Sequence, residues 1–307
     1  MANTYEVSAT AKINLYLRVC GNLPNSNYHR LHMLMQEITL CDDVEVFVDD
    51  EGEHDIIAEC IGCDPIPNNK NLCYKAAVRF FSALKKRGTV RKLPFVKITI
   101  KKNIPSEAGI GGGSSDAAAV ILCLAEHYGN PFSVEELNEI AANTGADTPF
   151  FLYGGACVCE GFGEVVTPIE SLSDLPLILI KPKDGVSTPQ CFSSFDSKHK
   201  PTLDESLYDG FKAELAAADS PIEVIRNHKE LMVNDLQEPA EEFVPDIRTA
   251  RELLEQNGAL FAAMSGSGSC VFGVFEDKEK RDLAFAKISE DKTVSDKDYK
   301  LFKCETA

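Results

Sequence analysis

Residues 104–120 read IPSEAGIGGGSSDAAAV, with four glycines in the five positions 109–113, then Ser114 and Ser115, then an alanine run. Glycine carries an entropic cost and packs nothing, so such a cluster marks a place where something approaches the main chain closely. A helix that starts directly after free backbone N–H groups and small hydroxyls favours an anion, and phosphate is the commonest one. The stretch lacks the Gly-Lys-Ser/Thr ending of the best-known nucleotide loop, and its glycine spacing does not fit the dinucleotide fingerprint. A flexible linker suits it poorly, because a strong strand pattern precedes it and a helix pattern follows. What remains is a phosphate cradle of backbone N–H groups with Ser114 and Ser115 at the helix start.

Two more residues bear on chemistry. Lys12 lies between apolar residues in ATAKINLYLRV, and Asp147 follows a helix end in GADTPFFLYGG, where Pro149 fixes the turn. Taken singly, such a lysine snorkels to the surface and such an aspartate caps or turns the chain. Beside a phosphate site they allow another assignment: a carboxylate that takes a proton from a substrate hydroxyl, and an ammonium that keeps the carboxylate ionised and stabilises negative charge. His29 and His32 would share a helix face and invite a metal reading, but LHMLMQEITL has a strand pattern and two ligands are too few. Cys60 and Cys63 form one CxxC with no second pair, a weak pattern for zinc or redox chemistry, so no metal site is expected from the side chains. The 11 cysteines are scattered, odd in number and mostly inside apolar segments, which reads as reduced thiols.

The elements that would position these residues follow from the patterning. The first hundred residues are strand-rich, with KINLYLRV, LHMLMQEITL, VEVFV and DIIAEC separated by the polar turns NLPNSN and DDEGEH. One helix interrupts them from Asn71 to Lys86 and stops before Gly88. In FVKITIKK, Val96, Ile98 and Ile100 alternate with Lys97, Thr99 and Lys101, which turns one face inward. A helix is expected from about Ser114 to Tyr128, and Ser133 with Glu136 forms a capping box for the next. GADTPFFLYGGACVCEGFGEVV reads as a loop and a hairpin. A strand PLILIKP follows, then helices between 206 and 257, with NDLQEPA around Asn234 as a helix start without chemistry of its own. LFAAMSGSGSCVFGVF is a turn between strands, followed by a charged helix and a last strand, YKLFKC. The polar stretch from Ser193 to Glu205 reads as a flexible loop.

Composition narrows the function. With 31 basic and 48 acidic residues the formal charge is −17, which repels a nucleic-acid backbone, and no dense basic run offsets it. No apolar stretch is long enough to cross a bilayer, so neither nucleic acid nor membrane is an expected partner. The N-terminus shows no targeting pattern, and the expected compartment is the cytoplasm. At 307 residues two lobes are expected, divided as residues 1–168 and 169–307, with one large α/β unit as the alternative. The sequence leaves monomer or homodimer open.

ATAKINLYLRV, IPSEAGIGGGSSDAAAV and MSGSGSCVFGVF resemble, in order, the three motifs of the GHMP kinase superfamily, which phosphorylates small alcohols with ATP. The likeness runs from about Tyr5 to the last strand. Its tightly patterned segments AKINL, YH, GGGSSDAAA, GADTPFF and NDL are similar to those of the branch acting on 4-diphosphocytidyl-2-C-methyl-D-erythritol (CDP-methylerythritol), in the non-mevalonate route to isoprenoid precursors. The resemblance implies an α+β, two-lobed GHMP kinase fold, with an N-terminal ATP-binding domain like that of a ribosomal protein and a C-terminal ferredoxin-like α/β domain. It implies Asp147 as catalytic base with Lys12 beside it, Asn14 and Thr188 as substrate contacts, and Tyr28 with His29 as the aromatic pair that holds the cytosine. On the ATP side it implies Asn71, Lys102, Pro105, Gly109, Ile110, Gly111, Gly112, Gly113, Ser114 and Ser115. Gly266 to Ser269 would close beside the site, and Mg2+ would accompany ATP.

A kinase of the same superfamily acting on homoserine, mevalonate or a sugar would share the glycine loop without needing Tyr28 and His29. A decarboxylase would need a carboxylate-binding set that is not visible. An RNA-binding role conflicts with the acidic balance. Three departures stand out: Ser26 and Asn27 replace the usual Asp-Gly turn before Tyr28, Ile110 replaces leucine, and Asp116 stands where asparagine is frequent, which leaves the charge around ATP open.

Overall fold

The computed structural model describes residues 2–23, 28–52, 54–89, 92–169, 172–199, 201, 205–218 and 220–307. Ser26 and Asn27, the departure noted before Tyr28, lie outside them. The elements are β1 (Ala2–Asn22), β2 (His29–Asp49), β3 (Ile56–Ile61), α1 (Leu72–Lys86), β4 (Phe95–Lys101), α2 (Gly112–His127), α3 (Val134–Thr144), α4 (Phe150–Tyr153), β5 (Ala156–Gly161), β6 (Val165–Ile169) and β7 (Pro176–Lys181). They continue with α5 (Thr188–Lys198), α6 (Glu205–Ala216), α7 (Pro221–Asn227), α8 (Gln237–Phe243), α9 (Asp246–Gln256), β8 (Phe261–Met264), β9 (Val271–Val274), α10 (Lys278–Glu290), α11 (Lys292–Asp296) and β10 (Lys300–Glu305). The architecture is α+β, as expected. No helix among the described residues is long and apolar enough to cross a membrane.

The chain divides into two compact units, and both are discontinuous in sequence. The first is Met1–Ala11, Cys41–Ile104 and Gly111–Gly154; the second is Lys12–Leu40, Pro105–Ile110 and Gly155–Ala307.

In the first unit β4 lies between β3, to which it is parallel, and the C-terminal half of β2, to which it is antiparallel, with Val44 opposite Ile100 and Val48 opposite Val96. The alternation read from FVKITIKK holds, since Val96, Ile98 and Ile100 are all buried. They join Val44, Val46 and Val48 in a core closed by Phe80, Phe81 and Leu84 of α1 and Val120, Ile121 and Leu124 of α2. Helix α1 starts where Asn71 Oδ1 accepts from Cys73 N and Tyr74 N, and α3 starts at the expected Ser133–Glu136 capping box.

In the second unit the N-terminal half of β2 pairs with β5, and β5 pairs with β6. A separate antiparallel sheet runs β10-β7-β9-β8. Every residue of β7, PLILIK, is buried, which accounts for its unbroken apolar run.

Two expectations are corrected. LHMLMQEITL and VEVFV, read as separate strands, are one strand, β2. Asp42, in the polar Cys41-Asp42-Asp43 between them, is fully buried and finds its partners inside the fold, so the strand runs through it. The stretch from Ser193 to Glu205, read as a loop, begins inside α5, which continues to Lys198, and ends on the first residue of α6; residues 200 and 202–204 lie outside the described ones. Cys191 and Phe195, one helical turn apart, are the buried face that the polar composition concealed.

Candidate active site

The glycine loop passes from the second unit to the first between Ile110 and Gly111. On the first-unit side Gly111, at φ 76°, is the N-cap of α2, and no side chain caps the helix. Its leading N–H groups and positive dipole end are therefore available to an anion. Ser114 and Ser115 follow in the first turn, and their own N–H groups bond to Gly111 O. Asn71 is buried; its Oδ1 caps α1 while its Nδ2 has no hydrogen-bond partner, so the amide keeps a donor for a ligand.

Beneath this helix start lies a buried charge cluster. Lys102 Nζ donates to Asp116 Oδ2 at 2.7 Å and to Asp42 Oδ2. Asp42 Oδ1 accepts from Asn103 N at 2.5 Å and Ile104 N at 2.8 Å, so Asp42 also fixes the corner between β4 and the loop. Burial acts to lower the Lys102 pKa, but Asp116 and Asp42 outweigh it and hold the ammonium charged. Burial, with Asp42 adding to it, pushes the Asp116 carboxyl up to about 7 against the opposing pull of Lys102. Asp116 Oδ1 is buried without a hydrogen-bond partner.

Asp147 is half-buried in the turn that joins α3 to α4. This turn abuts the loop: a Cβ built on Gly145 would lie 3.5 Å from Ser114 Oγ and 2.9 Å from Thr148 Oγ1. The candidate base and the first turn of α2 thus belong to one packed piece of the first unit.

In the second unit Lys12 is 1% exposed, so it does not snorkel. Its Nζ donates to Asn14 Oδ1 at 2.5 Å and to Gly109 O at 3.0 Å, while its backbone N–H donates to Ile110 O. Asn14 is equally buried; its Oδ1 also accepts from Gly266 N at 3.0 Å and its Nδ2 points at Met33 Sδ. Gly109 sits at φ +73°, and a Cβ there would run into the Ser265 carbonyl and come within 2.9 Å of Gly268 N. Only glycine fits that approach. Residues 107–110 are held on one side by Lys12 and on the other by Ser269 N and Cys270 N, which bond to Glu107 O and Ala108 O.

Tyr28 and His29, adjacent in sequence, pack against different aromatic rings. Tyr28 is exposed, its ring centroid 5.0 Å from that of Phe162; His29 stacks on Phe192 at 4.5 Å and 19° and bonds through Nε2 to Asp196 Oδ1 at 2.9 Å. Thr188, also exposed, meets the third motif through Ser267 Oγ at 2.6 Å. Within each unit, then, the expected residues gather: Asn71, Lys102, Gly111 to Ser115 and Asp147 in the first, Lys12, Asn14, Gly109 and Ile110 in the second. Pro105 opens the second-unit part of the loop.

Four buried residues escaped the sequence reading as site residues: Asp42, Asp116, Asn234 and Ser265. Asp116 stood inside the motif, and its carboxylate beside an alanine run was the available signal. Asp42 gave none, because nothing local distinguishes a buried aspartate from a turn former. Among the described residues no group of three or more His, Cys, Asp or Glu could hold a metal ion.

The GHMP kinases N terminal domain matches residues 71–155 and the GHMP kinases C terminal domain matches residues 214–292. A 4-diphosphocytidyl-2-C-methyl-D-erythritol kinase of Desulfitobacterium hafniense (strain Y51) is 37% identical over 281 residues, covering 91% of this chain and 89% of the relative. The enzyme of that name from Clostridium tetani (strain Massachusetts / E88) is 34% identical, covering 92% and 95%. Among solved structures, a 4-(cytidine 5'-diphospho)-2C-methyl-D-erythritol kinase superposes with a TM-score of 0.73 at 28% identity, covering 99% of both chains.

Proposed function

Because the chain belongs to the GHMP kinases, and within them to the 4-diphosphocytidyl-2-C-methyl-D-erythritol kinases, we propose that it transfers the γ-phosphoryl group of ATP to the 2-hydroxyl of CDP-methylerythritol. The products are the 2-phosphate and ADP, in the non-mevalonate route to isoprenoid precursors. The observation that carries this reading is the packing of the Asp147 turn against Ser114 at an uncapped helix start, which combines a proton acceptor with a phosphate cradle in one rigid piece.

The acceptor is a tertiary alcohol, hindered and weakly acidic, so positioning matters more than intrinsic reactivity. In this reading Asp147 accepts the hydroxyl proton, and Lys12 stabilises charge developing on the transferred group. The N–H groups at the start of α2, with Ser114 and Ser115, bind the phosphates, and Asn71 Nδ2 is a donor for the nucleotide. Lys102 serves the ATP side from its seat between Asp42 and Asp116, which keeps it charged. Tyr28 and His29 hold the cytosine, each backed by a second ring, while Asn14 and Thr188 border the methylerythritol unit.

Mg2+ completes this reading as a neutraliser of charge on the transferring phosphoryl group. Of the residues present, the Ser114 hydroxyl in the first turn of α2 would be a protein oxygen able to hold it beside the phosphates. We place the enzyme in the cytoplasm; family matches on either side of 168/169 favour the division expected there, while the compact units interleave, with Lys12–Leu40, Pro105–Ile110 and the chain from Gly155 onward in the second.

The test is ADP release with Mg-ATP and a panel of acceptors: CDP-methylerythritol, mevalonate, homoserine and galactose. Turnover with the cytidyl acceptor alone is expected. Turnover with another acceptor instead would retain a kinase and overturn the assigned substrate; silence with all four would overturn both.

A further inference from the structure

We infer that Asn234, in the segment between α7 and α8, is a positioning residue for Lys12, acting through the third-motif loop without touching substrate. The inference rests on the reading above, in which Lys12 stabilises charge developing on the transferred group. Asn234 is buried, and its amide is fully used: Nδ2 donates to Met264 O at 2.7 Å and to Gly266 O at 2.8 Å, and Oδ1 accepts from Leu236 N at 2.9 Å. The two carbonyls flank Ser265, so the side chain staples the loop on both sides of that residue.

What the staple holds is a pair of acceptors for the Lys12 ammonium. Gly266 N donates to Asn14 Oδ1, and Ser265 Oγ donates to Gly109 O at 3.0 Å and accepts from Asn14 N at 3.2 Å. Asn14 Oδ1 and Gly109 O are atoms to which Lys12 Nζ donates. Each acceptor is therefore fixed by a residue whose place is set by Asn234. The same segment is clasped to the strand that carries Lys12: Leu17 N donates to Val233 O, Asp235 N donates to Leu17 O, and Asp235 Oδ2 accepts from Val19 N and Arg18 Nε. Strand, loop and segment form one buried network with Lys12 at its end, and such networks respond as units to the loss of one member.

A simpler role competes. Asn234 Oδ1 bonding to Leu236 N is a local turn at the start of α8, and aspartate would serve that role as well as asparagine. Aspartate has no donor, however, and would turn lone pairs toward two carbonyl oxygens. Asn234→Asp therefore separates the two roles. We expect kcat to fall on the order of 10- to 100-fold, as for a displaced catalytic group, while KM for each substrate changes by less than about threefold, because Asn234 touches neither.

Both quantities are measured on folded protein, with Leu253→Ala in the core of α9 as a control that loses stability without touching the network. Ser265→Ala, a smaller deletion in the same chain of bonds, should lower kcat by less, again with KM nearly unchanged, and it carries the test should Asn234→Asp not fold. Unchanged kcat in Asn234→Asp, or a kcat loss accompanied by an equal rise in KM, would overturn the inference, as would an unchanged kcat in Ser265→Ala. Lys12→Met distinguishes the premise: if it leaves kcat in place, the role of Lys12 itself fails, whereas a kcat that falls for Lys12→Met alone removes Asn234 from the account.

Discussion

Replacing Asp116 by asparagine should stabilise this protein, and should do so increasingly as pH rises. The carboxyl is 3% exposed and shares Lys102 with a second buried carboxylate, so one cation faces two anions in a site with little water. Its pKa rises from an ordinary 3.8 to about 7, with burial the largest cause and Asp42 reinforcing it. The folded state thus keeps a proton that the unfolded chain releases, so stability falls as pH climbs from about 4 to about 7 and then levels off. At about 1.36 kcal/mol per pH unit the opposition to folding is roughly 2 kcal/mol at pH 5 and about 4 kcal/mol at pH 8. Asparagine resembles the protonated acid in shape and charge and keeps an acceptor for Lys102. Urea unfolding of both proteins from pH 4 to pH 8 should show curves that nearly coincide at pH 4 and separate toward pH 8, with the variant the more stable. A variant less stable than its parent at pH 8 would refute the reasoning, because it would mean that attraction to Lys102 exceeds the burial penalty and the second carboxylate.

Asp147→Asn should lower kcat by about 10²–10⁴-fold, the usual contribution of a general base, while ATP affinity by equilibrium titration stays within a few-fold; unchanged kcat would remove Asp147 from the mechanism. His29→Ala should raise KM for the cytidyl acceptor more than it lowers kcat, since it removes mainly binding, and steady-state kinetics showing the reverse would move His29 toward the chemistry. Gly109→Ala combines positive φ with an overlap onto the Ser265 backbone and should lose on the order of 3 kcal/mol in thermal or urea unfolding. Gly88→Ala, at φ +76° but in open space, should lose only about 1 kcal/mol; equal losses would show that the close approach at Gly109 is not what demands glycine.

Local chemistry was legible in the sequence wherever neighbours in the chain determine it. The strand alternation of Val96, Ile98 and Ile100, the Ser133–Glu136 cap and the helix that follows the glycines all depend on residues a few positions apart, and all stand in the structure. What could not be read depends on partners far along the chain. Asp42 is a strand residue because Lys102 and the N–H groups of Asn103 and Ile104 satisfy it from 60 positions away or more. Asn234 staples carbonyls 30 and 32 positions on, so a reader of NDLQEPA sees only its helix-start role. Lys12 showed its type and its apolar surroundings, but its acceptors Asn14 and Gly109 lie 2 and 97 positions away, and only folding reveals that it is buried. The intermixed chain segments of the two units were likewise hidden, since β1 and β2 each read as ordinary strands and give no local sign of passing from one unit to the other.

The most direct measurement is phosphorus and carbon NMR of the product formed from Mg-ATP and CDP-methylerythritol. A single new phosphomonoester whose phosphorus couples to the quaternary carbon of the methylerythritol unit, formed in step with ADP, is the result this account predicts. A phosphate on one of the unit's other hydroxyls, or ADP formed with no phosphorylated cytidyl product, would contradict it.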